Sequence, residues 1–339
     1  MRRLTWKGDD RFHLATEPMP RPSPGPGEVL VRVRAVGICG TDIHIMGGLG
    51  IARPPLILGH EIAGEVAETG GAVDEVRPGD RVTVDQVIGC GSCPFCRRGS
   101  VQFCPNGYEL GITRDGGCQE YVVVPARNVY RVPDPISMEE AAILDMEVWG
   151  ALRKASIRVG DVVLVVGHGP AGMVASQLAR AMGAGKVVMV GRSAARMESA
   201  RNLQLADCYL SSVADDVTAA VARETGGCGA DLVFECGGSA ETVELALGAV
   251  APGGRLVFYG VQTRPLAQFD LNRIVMKDLI VFGALSDRVG WREVIDLVAS
   301  GKLRLAPLIT YRFPLEKAPE AYELVRRRAE GVIKAVLML

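Results

Sequence analysis

The sequence predicts an α/β protein of two domains: a mostly β domain built from the first third of the chain, and a doubly wound parallel sheet built from the middle. Three observations carry the prediction. At 339 residues the chain exceeds what one ordinary hydrophobic core organises. Its first third is rich in Gly and Pro, with short β-branched runs between turn residues, the texture of short strands. From about Ile143 onward, apolar runs alternate with helical stretches, the order that builds a parallel sheet covered on both faces.

Composition narrows the function classes. Apolar residues make up 48% and charged residues 23%, with a formal net charge of −1, a globular balance. No basic block or acidic tail is present, which argues against nucleic acid and anionic membranes as partners. No apolar run reaches the roughly 20 residues needed to span a bilayer. Met1 to Lys7 runs into Asp9, Asp10 and Arg11, where a secretory signal needs its apolar stretch, so the expected location is cytoplasmic. That compartment keeps thiols reduced, so the nine cysteines point to metal ligation wherever they cluster rather than to disulfides.

In the first domain, Glu28–Val33, Arg81–Val84 and Tyr121–Val124 read as strands, and residues 20–27 as a stiff Pro-rich connector. In the second, the apolar strand Val162–Val166 leads through a Gly-rich turn into a helical pattern ending at Ala181. Further strands are expected at Lys186–Val190, Asp207–Leu210, Ala230–Phe234, Arg255–Tyr259 and Leu279–Phe282, most of them separated by helical stretches. After Gly283 come an amphipathic stretch, Trp291–Ser300, and a last apolar strand, Val332–Leu339. That tail is expected to rejoin the first domain, because a lone strand needs a sheet to pair with. The expected division is 1–142 with 286–339 for the β domain and 143–285 for the parallel sheet.

Gly167-His168-Gly169-Pro170-Ala171-Gly172 follows an expected strand and opens an expected helix, the context in which G-x-G-x-x-G binds a dinucleotide. Glycines there allow a tight turn and bring backbone N–H groups close to a pyrophosphate at the helix N-terminus. Alone, the motif is equally a plain strand–helix turn; at the first strand of an alternating series it marks a Rossmann dinucleotide site. His168, inside the turn, is a candidate phosphate contact. An NAD site usually places an acid at the end of the second strand, on the ribose 2′-hydroxyl. Here that strand runs into Gly191-Arg192-Ser193, which offers no carboxylate, while Arg192 and Ser193 suit a 2′-phosphate. NADP is therefore expected over NAD; the alternative leaves Arg192 a solvated loop residue. Cys236, Gly237, Tyr259 and Gly260, near the ends of later strands, are candidates to approach the ribose and nicotinamide.

Cys90, Cys93, Cys96 and Cys104 lie on a Gly/Pro/Ser-rich loop, about residues 89–105. Four closely spaced thiolates can close tetrahedrally around Zn²⁺ and leave no open position, which makes the site structural. An iron–sulfur cluster or a free-thiol switch would use similar residues, but the rest of the chain offers no electron-transfer partner.

Two earlier segments share metal chemistry. Cys39, Thr41 and His44 offer a thiolate, a hydroxyl and an imidazole within six residues, and Gly59-His60-Glu61 begins the pattern Gly-His-Glu-x2-Gly-x5-Gly-x2-Val, ending in Gly64, Gly70 and Val73. Together with the cysteine lobe and the nucleotide turn, these resemble the zinc-containing alcohol dehydrogenases of the medium-chain dehydrogenase/reductase family. The resemblance covers essentially the whole chain and is strongest to the polyol and secondary-alcohol branch, which includes sorbitol, threonine and aminocyclitol dehydrogenases. It implies a GroES-like catalytic domain beside the Rossmann domain, and two zinc ions per chain, one structural and one catalytic. The catalytic ion would be held by Cys39, His60 and an acid, with Glu61 beside it as outer partner or exchangeable ligand. The resemblance further implies a zinc-polarised alcohol giving up hydride to NAD(P), with Thr41 taking the alcohol proton and His44 relaying it. It also implies a homodimer or homotetramer, commonly through the edge of the nucleotide-domain sheet.

The chain departs from that pattern twice. Polyol enzymes carry a Glu ligand in the segment that reads Ile143-Leu144-Asp145-Met146-Glu147 here, and an ungapped count puts apolar Ile143 at its place. A two-residue shift makes Asp145 the ligand; Glu147 is the alternative, and the third reading is that this segment supplies no ligand. Near the substrate, Phe-Arg-Tyr is replaced by Leu285-Ser286-Asp287 with Arg288 following, so an ordinary sugar polyol is not expected. Asp287 is a candidate for an amino or hydroxyl group, or a solvated loop residue. Two rival functions remain. A zinc-free quinone or enoyl reductase of the same fold would lack both the Cys39/His60 pair and the cysteine lobe, and a non-enzymatic nucleotide-binding protein would not require Cys39, Thr41, His44, His60 and Glu61 together.

Overall fold

Val162–Val166 is apolar at every position, and Val163 to Val166 are buried at the centre of a six-stranded parallel sheet. A strand covered on both faces cannot alternate polar and apolar residues, which is why it reads as a continuous run. The computed structural model describes residues 1–9, 12–15, 20–144, 146–262, 265–266, 269–285 and 290–339, with backbone alone for 12–15 and 146. The chain forms two units, Met1–Leu144 with Trp291–Ser300 and Leu305–Leu339, and Asp145–Gly290 with Gly301–Arg304.

In the second unit the sheet runs Cys208–Ser211, Lys186–Gly191, Val162–Val166, Ala230–Glu235, Val250–Phe258, Ile280–Gly283, every neighbour parallel. By chain position that order is third, second, first, fourth, fifth, sixth. It reverses beside Val162–Val166, and a doubly wound sheet opens its ligand crevice at the strand C-termini at such a switch. Helices Pro170–Ala181, Ala194–Asn202, Val217–Glu224 and Ala240–Ala249 alternate with the strands. The last three start on Ser193, Asp216 and Ser239, whose side chains accept the N–H of Arg196, Ala219 and Thr242. Each such cap contributes about 1 kcal/mol. The fifth strand begins at Val250 rather than Arg255, because a register shift between Ala230 and Leu232 absorbs Pro252, Gly253 and Gly254 as an irregularity.

In the first unit a seven-stranded sheet has the order Val129–Arg131, Arg81–Val84, Glu61–Thr69, Glu28–Ile38, Lys334–Met338, Ile309–Pro314, and Tyr121–Pro125 also pairs with Glu28–Ile38. The C-terminal strand lies antiparallel to Glu28–Ile38, with Val336 opposite Gly37, and parallel to Ile309–Pro314. Ile309–Pro314 is mostly exposed, but Ile309, Tyr311 and Phe313 alternate with Thr310 and Arg312, a strand period that the sequence reading missed. Helix Trp291–Ala299 buries Trp291, Val294, Ile295 and Val298, one face at helical spacing. Trp291 donates its indole N–H to Asp85 at 3.2 Å and stacks on Tyr130 with ring centroids 5.1 Å apart. Among the described residues no helix is long and apolar enough to cross a membrane.

Candidate active site

The strand Glu28–Ile38 ends where helix Gly40–Met46 begins, and Cys39 sits at the junction. The neighbouring strand Glu61–Thr69 starts with Glu61 directly opposite Gly37, and His60 precedes it. This pairing brings a thiol, an imidazole and a carboxylate from two distant segments to one place. One ligand atom from each of Cys39, His60 and Glu61 lies within 4.8 Å of the other two.

Asp42, which sequence reasoning passed over, organises the cluster. It is fully buried; its Oδ2 accepts the Cys39 backbone N–H at 3.0 Å, and its Oδ1 lies 3.3 Å from His60 Nδ1, an ion-pair distance rather than an aligned hydrogen bond. Burial works against a charge on His60, but the Asp42 carboxylate and the Cys39 thiol outweigh it and hold the imidazole well above its ordinary pKa. With Nδ1 turned to Asp42, Nε2 is left for a metal, the usual way an outer carboxylate orients a histidine ligand.

Glu61 is held from the other end of the chain. Lys334 Nζ lies 2.5 Å from Glu61 Oε1, with side chains only 9% and 20% exposed. The carboxylate reaches the C-terminal strand by passing over Gly37, where a Cβ would stand 1.9 Å from Glu61 Oε2. Glu61 Oε2, Asp42 Oδ1 and His60 Nδ1 are all buried without a hydrogen-bond partner. Asp42 Oδ1 and His60 Nδ1 face each other, so of the three only Glu61 Oε2 is left to point to a cation; a buried carboxylate oxygen beside a thiol and an imidazole is a donor set that fits Zn²⁺.

Thr41 Oγ1 lies 3.7 Å from Cys39 Sγ. His44, on the same short helix, is half-buried; desolvation first and the charge of Arg328 second push its pKa below the ordinary value. Ile143 is buried, and its Cγ2 lies 2.9 Å from where a Gly37 Cβ would be, the point that Glu61 Oε2 also crowds. An apolar side chain therefore borders the carboxylate. Asp145 lies outside the described residues, as do Ser286, Asp287 and Arg288. Glu147 stands in the first turn of helix Met146–Ala155, in the second unit.

The four lobe cysteines also bring their sulfurs within 4.8 Å of one another. Cys93 caps helix Pro94–Arg97 by accepting the Cys96 N–H at 3.4 Å, and Cys104 Sγ accepts the Cys90 N–H at 3.3 Å. Backbone donors to sulfur favour the thiolate form that a metal requires. Ser92 and neighbouring backbone donors bring Cys90 down to about 6, whereas burial pushes Cys96 up to about 11. The four sulfurs fit a closed zinc site with no position left for substrate.

In the second unit, Gly169 caps helix Pro170–Ala181, and a Cβ there would meet nothing within 4 Å, which leaves room for a phosphate. Gly172 has a different role: a Cβ would lie 2.1 Å from the Gly167 carbonyl oxygen, so only glycine lets helix and strand pack this closely. Pro170 and Ala171 form the first helical turn. The Cys236 N–H donates to the Val166 carbonyl at 2.9 Å, and the N–H groups of Tyr259 and Gly260 donate to the Glu235 carbonyl at 2.8 and 3.0 Å. Glu235, a second residue missed from sequence, is buried at the end of its strand and accepts the N–H groups of Gly237 and Gly238 at 2.7 and 2.8 Å. It thereby fixes the loop after the strand. Burial raises its pKa, and those hydrogen bonds only partly offset it. At the end of the second strand Gly191 is buried, Arg192 exposed and Ser193 half-buried.

A model of the alcohol dehydrogenase GroES-like domain matches residues 25–134, and a zinc-binding dehydrogenase model matches residues 170–300. L-threonine 3-dehydrogenase of Pyrococcus abyssi is 38% identical over 326 residues, covering 92% of this chain and 91% of that protein. Among solved structures, alcohol dehydrogenase TADH from Thermus sp. ATN1 is 33% identical with a TM-score of 0.91, covering 100% of this chain and 99% of that one. A zinc-binding dehydrogenase from Sinorhizobium meliloti 1021 bound to NADP is 32% identical with a TM-score of 0.92, at the same coverage. The chain belongs to the zinc-binding alcohol dehydrogenases of the medium-chain family, NAD(P)-dependent oxidoreductases that act on alcohol carbons.

Proposed function

We propose that this protein is a two-zinc, NADP-preferring dehydrogenase of small secondary alcohols that carry a neighbouring amino or hydroxyl group. The observation that carries the reading is the convergence of Cys39, His60 and Glu61, with Glu61 Oε2 buried and without a hydrogen-bond partner. Zinc bound there supplies Lewis acidity, polarising the substrate oxygen so that hydride can leave the adjacent carbon for the nicotinamide. Cys39 and His60 hold the ion, and Asp145, with Glu147 the alternative, adds the acid from the next segment. Asp42 orients His60. Lys334 neutralises one oxygen of Glu61 and leaves the other to face the cation. Thr41 takes the alcohol proton, and His44, kept neutral near pH 7 by its lowered pKa, accepts it in turn.

The cofactor preference rests on Gly191-Arg192-Ser193, which presents a cation and a hydroxyl where an NAD site presents an acid. The substrate class rests on the threonine dehydrogenase relatives and on the loss of the sugar-binding Arg and Tyr at Leu285-Ser286-Asp287. A zinc-free reductase is disfavoured by two separate metal-ligating groups. The test is a screen of L-threonine, other amino-alcohols, diols and simple alcohols with each cofactor, followed by NAD(P)H absorbance. Oxidation of an amino-alcohol or diol with NADP is the expected result; turnover of simple primary alcohols alone, or with NAD alone, contradicts it.

We also propose that the protein forms a homodimer through the edge strand Ile280–Gly283. That edge carries exposed Leu271, Val275, Met276, Ile280, Val281 and Leu285, an apolar border that monomers avoid. Light scattering on Val275→Asp/Met276→Asp should read a monomer, and an unchanged dimer contradicts this choice of edge.

A further inference from the structure

The imidazole of His168 does not stay within its own turn. Its Nε2 accepts the backbone N–H of Ser193 at 3.2 Å, across to the end of the second strand. The ring lies against Gly191, where a Cβ would stand 2.4 Å from His168 Cγ and 2.6 Å from its Cβ. Glycine at 191 is thus the space that the imidazole fills. The backbone ties the same two turns together, since the Gly167 N–H donates to the Val190 carbonyl at 3.0 Å.

These contacts leave little freedom in Gly191-Arg192-Ser193. The Ser193 backbone N–H is given to His168, and its hydroxyl oxygen accepts the Arg196 N–H as the helix cap. An accepting Nε2 means a neutral imidazole with its proton on Nδ1. Only a side chain with an acceptor at that reach can hold Ser193 from the second position of the glycine motif; an alkyl group cannot. The three residues so fixed are those on which NADP preference was argued.

We infer that His168 is a positioning residue for recognition of the ribose 2′-phosphate: it fixes the turn that presents Arg192 and Ser193. The inference rests on the NADP reading proposed above. It differs from a phosphate contact by His168 itself, in which the imidazole would donate an N–H to the phosphate rather than accept the Ser193 N–H.

The test is calorimetric titration of the full chain with two probes, adenosine 2′,5′-bisphosphate and 5′-AMP, which differ only by the 2′-phosphate. Wild type should bind the bisphosphate more tightly. In His168→Leu the bisphosphate should weaken about fivefold, the loss expected for one hydrogen bond, while AMP stays within about twofold. His168→Gln, which keeps an acceptor near the position of Nε2, should recover most of the loss. Equal weakening of both probes, unchanged bisphosphate binding in His168→Leu, or no recovery in His168→Gln each overturns the inference while leaving the NADP reading standing. Wild type that binds AMP as tightly as the bisphosphate overturns the NADP reading, and the inference falls with it.

Discussion

Lys334 Nζ lies 2.5 Å from Glu61 Oε1, although the two residues stand 273 positions apart in the chain. The strand order explains the meeting: Glu61 and Lys334 flank the strand Glu28–Ile38, and Gly37 between them has no side chain to block the carboxylate. Removing one partner of a buried ion pair strands the other's charge, at a cost of about 3 kcal/mol. Lys334→Met should therefore destabilise the metal-free protein by about that amount. Zinc supplies a replacement cation, so the metal-loaded variant should lose clearly less. Thermal unfolding of both forms checks this; an equal loss in each would show that Glu61 does not face the metal.

Gly37→Ala tests the same geometry without touching a charge. A Cβ there stands 1.9 Å from Glu61 Oε2 and 2.9 Å from Ile143 Cγ2, so the carboxylate must move. Competition with a zinc chelator should find one of the two ions bound about tenfold more weakly, in the range seen when outer partners of ligands are lost. The lobe ion should be unchanged.

For Arg192, the quantity to measure is the ratio of kcat/KM with NADP to that with NAD. A charge-assisted hydrogen bond to phosphate contributes about 1.5–3 kcal/mol, so Arg192→Ala should lower the ratio at least about tenfold. The NAD value alone should hardly move.

His44 gives a pH prediction. Its pKa is lowered by burial first and by Arg328 second, and the neutral form is the one that accepts a proton. Activity should fall as pH drops through that lowered value. Arg328→Ala removes one lowering cause, so the folded pKa rises and the acid limb of the kcat/KM profile moves to higher pH. A profile that keeps its acid limb in place separates His44 from proton transfer.

Much of this was legible in the sequence because the signals are local. The run Val162–Val166 is apolar because both faces are covered, the lobe cysteines are neighbours in the chain, and Cys39 and His60-Glu61 each sit in a recognisable short pattern. What escaped depends on contacts between distant segments. Lys334 lies in a strand that looks like plain core, and its reach to Glu61 appears only when that strand pairs beside Glu28–Ile38. Asp42 lies within the Cys39 segment and escaped for another reason: its i,i+3 spacing to Cys39 reads as an ordinary helix start, and its link to His60 appears only in the fold. Glu235 and His168 likewise act on backbone N–H groups, which leave no trace in side-chain pattern.

The central claim is that Cys39 and His60, with Glu61 beside them, hold a zinc ion separate from the one in the cysteine lobe. Elemental analysis of wild type beside His60→Ala tests it most directly. Two zinc ions per chain are predicted for wild type, one for each group of ligands, and one for the variant, which keeps the lobe intact. Two ions in the variant, or one in wild type, would contradict the claim.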